Sequence, residues 1–298
     1  MKVACTSTQV DFKRILVASD LSPDSEGALT WAQEAARRYG GELFVTHVIS
    51  PAETALMPPE TWGASQQMIE EADQRRMNEL DARLQGLPHE VRIKHGGVLD
   101  VIGAEIEELN IDLLVLGTHS RAGLGRLAMG SAAEELIRAI PCPVLTLGPH
   151  VTALAARKVG FEEIVFATNF GPHSLAAAVY AVSLAEQHNA RLTLLNVVNE
   201  ENFDLPNDPL VVIKNHEDRL GRIASANASG FKVERLVEFG DPAEQILRVA
   251  REKRADLIVL GGKGASGHMG AATHISSSTI HRVISLARCP VLTVTATR

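Results

Sequence analysis

At 298 residues, with 45% hydrophobic, 22% charged and only 4% aromatic residues, the chain suits about two globular domains with aliphatic cores. A formal net charge of −7 without any basic run argues against a nucleic-acid partner, and no apolar run approaches the roughly 18 residues of a membrane span. Three cysteines (Cys5, Cys142, Cys289) cannot build a disulfide framework, and residues 1–14 lack a signal-peptide apolar stretch, so a reducing cytoplasm is expected.

Residues 14–20 read as a buried strand ending at the carboxyl edge of a sheet. Ser22-Pro23 supplies an N-cap and an N1 proline to a helix with Ala28, Trp31, Ala32, Ala35 and Ala36 on one face. That helix stops at Gly40-Gly41. A strand over 43–48, a loop over 51–63 and a helix over 66–84 follow, the helix striped by Met68, Ala72, Met77, Leu80 and Leu84. Strands over 91–95 and 111–116 flank a helix over 100–109. A glycine-punctuated loop then leads to a helix over 132–140 and a last strand over 143–147.

The second half repeats this order. Segment 163–169 repeats 14–20, with Asn169 in the place of Asp20, and Gly171-Pro172 repeats Ser22-Pro23. Strand 192–198 repeats the second strand, and Gly240-Asp241-Pro242-Ala243-Glu244 opens a helix with Asp241 and Glu244 as a capping box. Segment 255–261 repeats 111–117, and 289–294 repeats 142–147. Six matched segments make an internal duplication, joined by a polar linker over 149–159. Alternating strands and helices imply parallel sheets covered on both faces, with ligands held at the carboxyl edge.

The stretch 113–131 joins a strand to a helix through a small-residue, basic loop. Such an arrangement holds phosphate, because free backbone N–H groups and the helix dipole face the anion. Arg121 and Arg126 could add charge. Equally, Ser131 with Glu134 three residues on is a capping box that would merely start a helix. Asp20 likewise has two readings, a ligand for ribose or adenine or a cap for the next helix.

The stretch resembles the Gly-x2-Gly-x9-Gly-[Ser/Thr] nucleotide-binding signature of the universal stress protein (UspA-like) family, standing here as Gly117, Ser120, Gly130 and Ser131. Ser120 replaces the second glycine. The resemblance covers 11–148 and 160–297, which implies a tandem member with domains over 11–148 and 160–298. It implies α/β architecture, two doubly wound, Rossmann-like domains, each a five-stranded parallel sheet of order 3-2-1-4-5, which sets Asp20 beside Gly117. It further implies ATP, with or without Mg²⁺, as ligand. Ala18, Ser19, Asp20 and Val48 would meet the adenosine, and Leu116, Gly117, Ser120, Arg121, Gly130, Ser131 and Ala132 the ribose and phosphates. The last strands, 143–147 and 290–294, would pair inside one chain as a pseudo-dimer, with further homo-oligomerisation open.

The second half departs from the signature. Gly261 and Gly264 stay, with Lys263 between them, but Asn169 replaces the carboxylate and Ser277-Ser278 replaces Gly130-Ser131 after a longer loop. A β-carbon at Ser277 would crowd phosphate, and Ser276 to Ser278 read better as N-caps. Eleven scattered histidines and no Cys-x2-Cys give no metal site; His47 and His119 are expected to hydrogen-bond at the sheet edge, and Cys142 and Cys289 to be small buried hydrophobes. No spacing supports a nucleophile–base pair. A nucleotide-binding stress regulator is the leading reading. The alternatives are a weak ATPase or nucleotidyl-transfer enzyme, and a scaffold that binds no nucleotide.

Overall fold

The computed structural model describes residues 9–50, 62–118, 129–156, 158–199, 208–224, 230–262 and 279–295. The first half comprises β1 (Arg14–Ala18), α1 (Glu26–Tyr39), β2 (Glu42–Ile49), α2 (Trp62–Arg83), β3 (His89–His95), α3 (Val98–Glu108), β4 (Leu113–Gly117), α4 (Ser131–Ala139) and β5 (Val144–Leu147). A short α5 (Ala153–Ala156) leads to β6 (Glu163–Ala167), α6 (Pro172–His188), β7 (Arg191–Val198), α7 (Pro209–Ile223), β8 (Val233–Phe239), α8 (Pro242–Lys253), β9 (Leu257–Gly262), α9 (Thr279–Leu286) and β10 (Val291–Thr295).

All ten strands form one sheet of order β3-β2-β1-β4-β5-β10-β9-β6-β7-β8. Each half is therefore a parallel 3-2-1-4-5 sheet, as the resemblance implies. The halves join where β5 and β10 pair antiparallel, Val144 opposite Thr293, Leu145 opposite Leu292 and Thr146 opposite Val291. This is the expected intrachain pseudo-dimer. Its antiparallel seam turns the carboxyl edges of the two halves toward opposite ends of the molecule.

Central strands are buried on both faces, so they read as unbroken Val, Ile and Leu runs rather than as alternations. Ile15 and Val17 enter one core with α1, α6 and Leu220 of α7, while Leu16 enters the opposite core with α3, α4, α8 and α9. Each fully buried Leu or Ile contributes about 1.5–3 kcal/mol relative to exposure. Pro at the first position starts α6 and α8. Gly40, at φ +60°, closes α1 in a left-handed cap where a side chain is disfavoured.

Two expectations are corrected. The stretch 149–159 is not simply a polar linker: it carries α5, and Ala156 and Val159 are buried in the core that spans both halves. Ser131 is not an N-cap: Gly130 holds that position without a side-chain cap, and the Glu134 amide bonds the Gly130 carbonyl. Of the box over Asp241 the N-cap half forms, with the Asp241 carboxylate accepting from the Glu244 amide at 2.9 Å, while the Glu244 carboxylate meets Arg282.

Candidate functional site

Strand order reverses between β1, which pairs with β2 on one side, and β4 on the other. The connections leave on opposite faces there, and a cleft opens beyond the strand ends. It measures about 210 Å³ and is lined by Ala18, Ser19, Asp20, Val48, Leu116, Gly117, Gly130, Ser131 and Ala132, together with Ser25, Thr46, His47, Val98, Ala133 and Leu136. Nine residues singled out in the sequence thus share one cavity. Ser120, Arg121, Gly264, Ser277 and Ser278 lie outside the described residues, as do His119, Arg126 and Lys263.

One wall is the turn after β1. Leu21 sits at φ +56°, a conformation costing a non-glycine residue about 1 kcal/mol or more. Three bonds hold it: the Leu21 amide donates to Ser19 Oγ at 3.0 Å, the Ser22 amide to Asp20 Oδ1 at 3.0 Å, and Ser25 Oγ to the Ser22 carbonyl at 2.8 Å. Asp20 therefore braces the turn with one oxygen while its side chain borders the cleft. The helix-cap reading of Asp20 is corrected: Ser25 holds the N-cap of α1, and Asp20 bonds the Ser22 amide in the turn ahead of it.

The opposite wall is the start of α4. As at every helix start, the first amides of Ser131, Ala132 and Ala133 have no intrahelical partner; Gly130 offers them no side-chain cap, and all three residues line the cavity. The positive end of the helix dipole thus faces a space bordered by glycines, a setting that favours an anion.

The floor is more polar than the sequence reading anticipated. His47 hydrogen-bonds at the carboxyl edge of the sheet, as expected, and is buried there with both ring nitrogens engaged, Nδ1 with the Ser19 carbonyl at 2.9 Å and Nε2 with Asp73 Oδ2 at 3.3 Å. Arg76 adds a contact to Asp73 Oδ1 at 3.2 Å. Buried Thr46 donates its hydroxyl to Glu105 Oε2 at 2.6 Å, and Arg92 Nη1 donates to Glu105 Oε1 at 3.3 Å. Hydrogen bonding to Glu90 and then to Glu105 outweighs desolvation and holds the Arg92 guanidinium firmly protonated. Glu105 had a sequence signal, a carboxylate on the apolar face between Ile102 and Ile106. Thr46 had none.

The second half rebuilds the same turn from different residues. The Phe170 amide donates to Thr168 Oγ1 at 2.9 Å, the Gly171 amide to Asn169 Oδ1 at 2.9 Å, and Phe170 stands at φ +60°. Asn196 Nδ2 replaces the His47 ring on the Thr168 carbonyl at 2.7 Å, and His216 replaces Asp73 behind it at 2.6 Å. Gly261 has a packing reason: a β-carbon there would overlap the backbone of His173 and Ser174. Among the described residues no group of three or more His, Cys, Asp or Glu side chains is placed to hold a metal.

The universal stress protein family model matches residues 11–147 and again 160–295. Universal stress protein A homolog 1 of Coxiella burnetii is 33% identical over 146 residues, covering 46% of this chain and 96% of that protein. A universal stress protein of Mycobacterium bovis is 26% identical over 291 residues, covering 93% of this chain and 95% of its own length. The solved structure of a universal stress protein from Archaeoglobus fulgidus superposes with a TM-score of 0.68 at 20% identity, covering 95% of this chain and 98% of that one, a likeness of fold.

Proposed function

The chain belongs to the universal stress protein family, and on that premise we propose that its first half, residues 11–148, binds an adenine nucleotide, ATP foremost, in a cytoplasmic regulatory role. One observation carries the reading: the N-terminus of α4, whose N-cap Gly130 has no capping side chain, and Asp20 border the same cleft at the reversal of strand order. Phosphates would lie against the amides of Ser131 to Ala133, and a sugar hydroxyl would donate to Asp20. Mg²⁺, where present, would come with the phosphates, since Asp20 is the carboxylate on the cleft among the described residues. Binding is favoured over hydrolysis because, among the described residues, the imidazole lining the cleft is His47, and both its ring nitrogens are already engaged. The second half, 160–298, we take as the degenerate partner.

Calorimetric titration of the full chain with ATP tests this. One site per chain is expected, and Gly130→Val, which places a branched side chain where phosphate must approach, should abolish it without lowering the melting temperature. Unchanged affinity in that variant would remove the phosphate from α4.

A further inference from the structure

The duplication supplies an internal control for the polar floor of the first cleft. Strand register places Thr46 beside Ala18 and Arg92, and in the second half it places Leu195 beside Ala167 and Leu236. Counting from the helix N-caps Gly97 and Asp241, Glu105 of α3 corresponds to Val249 of α8. The trio of buried Thr46 and Glu105 with partly buried Arg92 is therefore replaced, in the same fold and the same chain, by Leu195, Val249 and Leu236. Leu195 and Val249 are fully buried and Leu236 packs against them, so the fold has no need of the polar set. Burying an ionic group is moreover no route to stability, because desolvation offsets the attraction and apolar replacements are often neutral or better.

The geometry points to a positioning role: Thr46, Glu105 and Arg92 hold the first cleft in its ligand-ready shape, and this half keeps them for binding rather than for folding. This deepens the nucleotide reading above and rests on it. Glu105 reaches three elements at once. It accepts from Thr46 on β2 and Arg92 on β3, and it stands two turns along α3 from Val98, which lines the cleft. The Thr46 carbonyl in turn accepts the Ser19 amide at 3.0 Å, so the bracket ends on the turn that carries Asp20. Without its acceptor side chains, α3 is free to settle on β2 and β3 as α8 settles on its own strands, by apolar contact alone. A supporting residue that loses this kind of fixation leaves a site present but loose.

The test transplants the second half's residues into the first in the full chain, Thr46→Leu, Arg92→Leu and Glu105→Val together, with Glu105→Gln as the conservative companion that keeps an acceptor for Thr46. The triple variant should melt within about 3 °C of the parent, a small fraction of its stability. It should bind ATP at least about tenfold more weakly, ~1.4 kcal/mol. Amide exchange over residues 17–21 and 97–101 should speed up while the rest of the sheet stays protected. Glu105→Gln should recover most of the lost affinity. A parent that binds no ATP refutes the nucleotide reading and leaves the exchange measurement to judge the bracket. A parent that binds, with a triple variant of equal affinity and exchange, overturns the inference. So does a triple variant that unfolds while Glu105→Gln melts far below the parent, because the trio would then be structural.

Discussion

Acidification should loosen the contact between the two halves through one side chain, His188. It ends α6 in the second half and meets Arg38 and Tyr39 at the end of α1 in the first. Its Nδ1 accepts the Phe161 amide at 3.3 Å and an Arg38 Nη2 proton at 3.0 Å, while Nε2 lies 3.0 Å from the Tyr39 hydroxyl. A ring nitrogen facing two donors has no room for a proton. Burial first, and then the Arg38 charge, push the imidazole down from 6.5 to about 4. The folded value lies below the unfolded one, so the unfolded chain takes up this proton first as pH falls. Stability is whole above about pH 6.5 and is lost progressively toward pH 4. A shift of this size corresponds to at most ~3.4 kcal/mol, but the ring is only partly buried and is screened by solvent, so ~1–2 kcal/mol is expected. At roughly 2–4 °C per kcal/mol for a chain of this size, the melting temperature should fall by ~2–8 °C between pH 7 and pH 4.5 through this group. Carboxylates add a slope of their own, so the assay compares melts of the parent and His188→Gln at both pH values. The variant keeps an acceptor and removes the titration, and its pH-dependent loss should be smaller by that amount. Equal losses in the two proteins would refute the argument.

Burial pushes the thiols of Cys142 and Cys289 up to about 12, so neither should react with a thiol reagent at pH 8 until the chain unfolds. Prompt native labelling of either by mass spectrometry would contradict their placement. Gly261→Ala should cost on the order of 1–3 kcal/mol in urea unfolding, because its β-carbon has no space against the start of α6; a neutral substitution would show that α6 sits farther from β9. Asp20→Ala should weaken ATP binding by at least about tenfold, the loss of a charged hydrogen bond, while Asn169→Ala leaves it unchanged. The reverse outcome would move the working cleft to the second half.

The architecture was legible because strand runs and glycine punctuation are local signals, and because the chain states them twice. Asp20, Gly117 and Gly130 converge in space as the 3-2-1-4-5 order requires. What the sequence hid depends on register. Thr46, Glu105 and Arg92 lie on three elements, and only the pairing of β2 with β3 brings Thr46 opposite Arg92. The edge position of His47 was legible, but its partner was not, because Asp73 lies on α2 and meets the ring only once that helix packs on the sheet. Ser131 carried the composition of a capping box, but the chain turns one residue earlier, and glycine takes the cap. Ala156 and Val159 sat in a stretch whose average polarity concealed two residues bound for the core.

The antiparallel seam between β5 and β10 also changes what the molecule is free to become. Two separate chains meeting through such strands would part on dilution, whereas halves on one polypeptide keep a fixed local concentration of each other. Identical protomers must in addition carry every substitution in both copies, because their symmetry repeats it. A tandem chain is released from that rule. Asp20 can persist while its counterpart becomes Asn169, and Glu105 while its counterpart becomes Val249, with the shared sheet intact. The covalent link thereby allows one end of the sheet to specialise while the other serves as its permanent support.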